Sequence, residues 1–171
     1  IGTGNVGIGL NALKATTTGV NNTALGTSAL AANIVGSRNV ALGGGALPVS
    51  TVDGLIAIGS GALNKNTTGT GNLAIGDSAL LANTTGTSNI AIGTQSLYSA
   101  VTASGNLAIG YSALFANTTG ASNIAIGNSA LSANTGGQQN LAIGLGALQN
   151  NTTADGNTAI GYVALSSNTT G

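Results

Sequence analysis

Hydrophobic and polar residues follow one another in a pattern that repeats about every 17 residues along the whole chain. One glycine recurs at the same place in each copy, and eight of the nine intervals between these glycines are 17 residues and one is 16. A short period that covers the entire chain is typical of a solenoid, in which each copy is one coil that must stack on its neighbours. The ten glycines are Gly9, Gly26, Gly43, Gly59, Gly76, Gly93, Gly110, Gly127, Gly144 and Gly161.

Each copy begins with a short hydrophobic segment that predicts a β-strand. The clearest copy, residues 72–88, starts Asn-Leu-Ala-Ile-Gly. Alternation along a strand places Leu73 and Ile75 on one face and Ala74 on the other. We expect the large aliphatic residues to face the core.

Three columns of equivalent residues are then the predicted core. The first contains Val6, Ile56, Ile90 and their equivalents, and the second contains Ile8, Leu25, Leu42, Ile58, Ile92, Ile109, Ile126, Ile143 and Ile160. The third is leucine in every copy: Leu13, Leu30, Leu47, Leu63, Leu80, Leu97, Leu114, Leu131, Leu148 and Leu165.

The Ser-Ala-Leu-x-Ala segment that follows each glycine is compatible with a helix or a strand. Alanine and leucine are good helix formers, but the stretch between Gly76 and Gly86 is only about two turns long, too short for a stable isolated helix. Its Asn, Thr and Gly neighbours favour turns and strands. We therefore expect a second strand, and the predicted fold is an all-β parallel β-solenoid of ten 17-residue coils.

A column of small residues lies opposite the two aliphatic columns of the strand. Two interpretations are open: the alanines fit a narrow solenoid interior, or another chain approaches this face closely. We prefer the second, which predicts side-by-side packing of parallel chains, three around an axis. The column is Gly7, Ala24, Ala41, Ala57, Ala74, Ala91, Ala108, Ala125, Ala142 and Ala159, and a second small column is Ala12, Ala29, Ala46, Ala62, Ala79, Ser96, Ala113, Ala130, Ala147 and Ala164.

The composition excludes several classes of function. Three basic and three acidic residues give a formal net charge of zero, and only three Tyr and one Phe are aromatic, so nucleic-acid binding is not expected. There is no His and no Cys, and Asp53, Asp77 and Asp155 occupy unrelated places in the unit. We expect no catalytic residues, no cofactor, no metal site and no enzymatic activity. No apolar run has the length of a membrane span.

Two short motifs have structural interpretations. Residues 2–7 match a dinucleotide-binding glycine pattern, but residues 69–74 are the same repeat position with no helix to follow, so we interpret both as turns. Asn-Thr-Thr matches a glycosylation sequon, yet in a stacked coil its asparagine is expected to bond its neighbours above and below. These asparagines are Asn66, Asn83, Asn117, Asn151 and Asn168.

The Asn-x-Ala-Ile-Gly core followed by Ser-Ala-Leu, as at residues 106–114 and 123–131, resembles the head repeats of trimeric autotransporter adhesins. With Asn-Thr-Thr-Gly, it also resembles the repeats of bacterial and phage tail-fibre-like proteins. The resemblance covers the whole chain. It implies a left-handed parallel β-roll, a homotrimer and an exposed adhesive or fibrous role.

These observations together predict a structural or adhesive fibre or filament segment, outside the cell, on its surface or on a virion. We expect residues 1–171 to be a single array cut from a longer repetitive chain, because no capping coil is present. Expected partners are the chain itself, as a side-by-side trimer or an end-to-end filament, and a surface receptor. The receptor would contact the variable columns, which are the positions directly after the invariant glycine and directly after the invariant leucine. The alternative is an ice-binding solenoid, suggested by a rank of threonines: Thr67, Thr84, Thr118, Thr135, Thr152 and Thr169.

Overall fold

A parallel β-sheet runs the length of the array in the computed structural model, which describes residues 2–171. Each coil contributes one three-residue strand, and consecutive strands pair in parallel and in register. The predicted all-β parallel β-solenoid is confirmed, and the described residues contain no helix. The strands are β1 (Val6–Ile8), β2 (Thr23–Leu25), β3 (Val40–Leu42), β4 (Ile56–Ile58), β5 (Leu73–Ile75), β6 (Ile90–Ile92), β7 (Leu107–Ile109), β8 (Ile124–Ile126), β9 (Leu141–Ile143) and β10 (Thr158–Ile160).

The Ser-Ala-Leu-x-Ala segment turns instead of extending, so the prediction of a second strand is wrong. Ser78 and Leu80 have φ values of 55° and 50°, in the left-handed region. Two such residues in close succession reverse the chain and bring the Leu80 side chain into the coil. Main-chain bonding to the adjacent coils continues, since Leu80 N donates to Ser96 O at 3.0 Å.

The core consists of the alanine columns and the invariant leucine column. Ala74, Ala79 and Leu80 are fully buried, and so are their equivalents through the middle of the array. Leu73 and Ile75 point outward, so the prediction that they face the core is wrong, although they do share one face. The coil turns within so few residues that its interior has room for one leucine and small side chains. The interpretation that the alanines line a narrow interior is confirmed.

The glycine that ends each strand is required by the closeness of the next coil. Gly110 has a φ of 132°, and a Cβ atom there would lie 2.6 Å from the carbonyl oxygen of Gly127. Any side chain would therefore collide with backbone, which cannot move aside without breaking the sheet. The same close approach to backbone explains glycine at nine of the ten positions that set the repeat, and Gly161, in the last coil, shares their left-handed φ, at 131°.

The first asparagine of each unit forms a buried ladder along the array. The Asn72 Oδ1 atom accepts a hydrogen bond from the backbone N of Asn89 at 2.9 Å and another from Asn89 Nδ2 at 3.2 Å. Asn89 Nδ2 also donates to the carbonyl oxygen of Ala103 at 2.7 Å. Both ends of each amide are thus satisfied inside the coil. The ladder is interrupted at Leu55, which retains only the backbone donation to Asn39 Oδ1.

The Asn-Thr-Thr asparagines form a second buried ladder, as predicted. Asn83 Nδ2 donates to Asn66 Oδ1 at 2.6 Å and to Gly86 O at 3.1 Å. Asn134, which stands in the same column but in an Asn-Thr-Gly segment, donates to Asn117 Oδ1 at 2.9 Å. The column is interrupted at Thr16, Ser50 and Ala100, and Ala100 comes directly after Asn83. Asn83 Oδ1 is buried with no hydrogen-bond partner, because Ala100 offers no donor.

The shorter interval between Gly43 and Gly59 is accommodated at the corner where the threonines lie. Val52 takes the place that Gly86 has in a full coil, since Asn39 Nδ2 donates to Val52 O at 2.8 Å and Asn72 Nδ2 donates to Gly86 O at 2.7 Å. Because this coil is shortened only at that corner, the first asparagine ladder stays in register.

Replacement of Ala100 by asparagine should join the two parts of the second ladder on either side of it and stabilise the protein. The new amide would donate to Asn83 Oδ1, and an unsatisfied buried acceptor costs about 1–3 kcal/mol. We expect the Tm of Ala100→Asn, measured by circular dichroism, to rise by roughly 2–12 °C. Asn134→Ala, which removes an existing rung, should lower it. An unchanged or lower Tm for Ala100→Asn would show that the amides do not bond as described.

Candidate assembly interface

The outer face of the sheet carries two columns of large aliphatic side chains, which we call the aliphatic face. It consists of the residues equivalent to Leu73 and Ile75 in all ten strands. The column of Ile75 is Ile or Leu throughout, and the column of Leu73 is aliphatic except for Thr23 and Thr158. Even in the middle of the array Ile90 is 39% exposed.

This face is aliphatic in every coil, and Thr23 and Thr158 are its only polar residues. Ten coils at the strand spacing make a strip ~48 Å long and ~10 Å wide, on the order of 500 Å². A patch of that size matches the largest found on typical monomers, which is often a binding site. Since no charged residue interrupts either column, the strip is suited to contact another apolar surface.

The charged residues lie in other columns of the coil. Arg38 and Asp53 form an ion pair with 2.8 Å between Nη2 and Oδ2, and both side chains are largely exposed. An exposed pair of this kind contributes little to stability. Asp53 Oδ1 also accepts a hydrogen bond from the backbone N of Ser37, which ties two coils together.

The alanine columns cannot form the surface on which chains meet. Ala91 and Ala108 are fully buried within the solenoid, so a second chain could not touch them. The small size of these residues reflects the narrow interior. A surface for side-by-side packing, if formed by this sheet, has to be the aliphatic face.

The variable column directly after the invariant glycine is exposed, as predicted, whereas most of the column directly after the invariant leucine is half-buried. Tyr111, Leu145 and Tyr162, all in the position after the invariant glycine, are exposed. By contrast, Asn66, Asn83, Asn117 and Asn151 are fully buried. A glycosylating enzyme would have no access to these asparagines in the folded array, which agrees with their structural role.

Threonines in the column of Thr67 donate hydrogen bonds from their hydroxyls to main-chain carbonyls of the next coil. The Thr67 hydroxyl donates to Thr84 O at 3.1 Å, and the Thr118 hydroxyl donates to Thr135 O at 3.0 Å. Ile34 and Val101 interrupt the rank in two coils. These hydroxyls therefore contribute to the stacking of coils.

The described part of the chain holds no group of three His, Cys, Asp or Glu residues that could bind a metal ion. Among residues 2–171 no helix is long and apolar enough to cross a membrane. Comparisons with protein-family models, curated proteins and solved structures find no match to this chain.

Sequence reasoning missed the direction of the strand faces and the first asparagine ladder. The signal for the faces was the size limit on the Ala74 column, which no residue larger than alanine ever occupies. The signal for the ladder was asparagine at the Asn72 position in every copy except that of Leu55.

Substitution of the inward and outward positions should have opposite effects on the fold. Ala91→Gln with Ala108→Gln places two amides in a filled interior, where overpacking alone costs about 1–3 kcal/mol per site. We expect this variant to lose β-structure and a cooperative thermal transition in circular dichroism. The matched pair Ile92→Gln with Ile109→Gln, one residue further along each strand, should keep its β-structure. An alanine variant as stable as the parent would contradict the assignment of the two faces.

Proposed function

We propose that this chain is a segment of a non-catalytic structural or adhesive fibre, built by side-by-side packing of identical chains through the aliphatic face. The supporting observation is the aliphatic face, whose side chains are exposed or half-buried in the isolated chain and recur at every coil. A location outside the cell, on its surface or on a virion is part of the proposal.

A second copy of this chain is the natural partner for the aliphatic face. Another parallel array carries the same residues at the same axial spacing, so every row of one chain can meet a row of the next. Burial of such rows contributes about 25 cal/mol per Å² of apolar surface. The association therefore strengthens with each coil that is added.

Assembly as a trimer is favoured by the resemblance to adhesin heads. When three chains pack around an axis with their aliphatic faces inward, all three faces are shielded from water. A pair of chains packed face to face would also bury the strips, and an end-to-end filament would leave them exposed. The number of chains thus distinguishes the three arrangements.

An adhesive role is supported by the variable columns, because the column directly after the invariant glycine is exposed. Their side chains differ from coil to coil, and a rigid array presents them repeatedly along one rod. Weak contacts repeated in this way bind a surface far more strongly than any single one. Ice binding is less well supported, because the Thr67 and Thr118 hydroxyls are already engaged in main-chain bonds.

The mass of the assembly in solution tests the proposal. We expect sedimentation equilibrium to give about 48 kDa for three chains of 16.1 kDa each. Electron microscopy should show rods with three chains in cross-section. A fully soluble monomer would contradict the proposal.

Lysine at the aliphatic face should dissociate the assembly. Ile92→Lys with Ile126→Lys would bury like charges where chains meet, which is strongly unfavourable. Within one chain the two lysines lie ~10 Å apart, where salt screens most of their repulsion. Sedimentation should therefore give monomers that keep their β-structure. Thr94→Lys with Asn128→Lys adds the same charge in the same coils but in an exposed variable column, and it should leave the mass unchanged.

A further inference from the structure

A shallow groove of about 380 Å³ crosses three consecutive coils on the side of the variable columns. Tyr111 and Phe115 supply its aromatic walls, and Gln95, Ser112, Ser129 and Ser132 supply its polar groups. Its volume is at the lower end of the range of small-ligand sites, about 300–1,000 Å³.

One wall of the groove is an aromatic ring with an open face. Tyr98 and Phe115 are equivalent residues in adjacent coils, and their rings stack with centroids 5.1 Å apart and planes 11° from parallel. The next residue in this column is Ser132, which is too small to cover the other face of Phe115. The stack therefore ends at the groove, and a flat ligand can continue it.

Four polar side chains line the remainder of the groove, and within residues 2–171 three of them have no protein partner. Among the described residues, the Gln95 amide and the Ser112 and Ser132 hydroxyls make no side-chain hydrogen bond. The Ser129 hydroxyl donates to Asn128 Oδ1 at 3.0 Å and retains its acceptor capacity. No lining residue is charged. A ligand here would meet donors and acceptors in a neutral environment.

We propose that this groove binds a neutral glycan, one or two sugar rings at a time. A pyranose ring has an apolar face of C–H groups, which can lie on the open face of Phe115, where the π-electrons give a partial negative charge. Its hydroxyls can both donate and accept, which matches the Gln95 amide and the serine hydroxyls. The absence of charge disfavours phosphorylated or acidic ligands.

A glycan bound in this groove would be the ligand of the adhesive fibre proposed above, and the inference rests on that proposed function. A shallow open site makes few contacts, so a Kd on the order of 1 mM is expected for a free disaccharide. Assembly would repeat the groove once per chain and raise the avidity for a glycan-bearing surface.

Saturation-transfer-difference NMR of the 171-residue chain with lactose, cellobiose, maltose and chitobiose tests the proposal. We expect transfer to the ring protons of at least one of the four. Phe115→Ser, which installs the residue found at position 132, should weaken that binding at least tenfold, or about 1.4 kcal/mol. Gln95→Ser, which removes only the free amide, should also weaken it while leaving both aromatic rings in place.

Tyr162→Asn is the matched control for Tyr111→Asn. Tyr162 lies in the same column as Tyr111, three coils away, and asparagine occurs in that column at Asn128. Binding should fall in Tyr111→Asn and persist in Tyr162→Asn. No transfer to any of the four sugars, or equal binding by Phe115→Ser and the parent with β-structure intact, would overturn the proposal. The mass of the assembly does not depend on glycan binding, so its separate measurement would still test whether the chain forms the proposed fibre.

Discussion

The main-chain hydrogen bonds between successive coils are the interaction on which the rest of this structure depends. Ile90 N donates to Asn106 O at 2.8 Å, one coil further on, and Gly93 N donates to Ile75 O at 2.7 Å, one coil back. These bonds hold each coil at the strand spacing from the next, whether the local backbone is strand or turn. The close approach requires glycine at positions such as Gly110 and places the same residue type in line along the array.

The period, the strands, the leucine column and one asparagine ladder could all be predicted from the sequence, because each follows from stacking in register. The faces of the strand could not be assigned correctly from hydrophobicity. Ala74 is buried because the coil is narrow, whereas Ile75 is outside because it does not fit. The turn at Ser78 and Leu80 was missed because leucine rarely adopts a left-handed backbone, and only the need to close the coil imposes it.

The narrow interior has a direct functional consequence. A coil that can bury only one leucine and its alanines leaves two further aliphatic residues on its outer face. Side-by-side packing of chains would give these residues the burial that the solenoid itself does not provide. The side chains that vary from coil to coil lie in other columns, and some of them line the groove at Phe115.

Distances between spin labels along one column test in-register stacking most directly. The chain contains no cysteine, so Asp77→Cys can be paired with Leu145→Cys, four coils away, or with Tyr162→Cys, five coils away. In labelled chains diluted with unlabelled ones, electron double resonance should give ~19 Å and ~24 Å, a difference of one strand spacing. Broad distributions, or distances that do not increase by about 5 Å for each 17 residues, would contradict the stacked array.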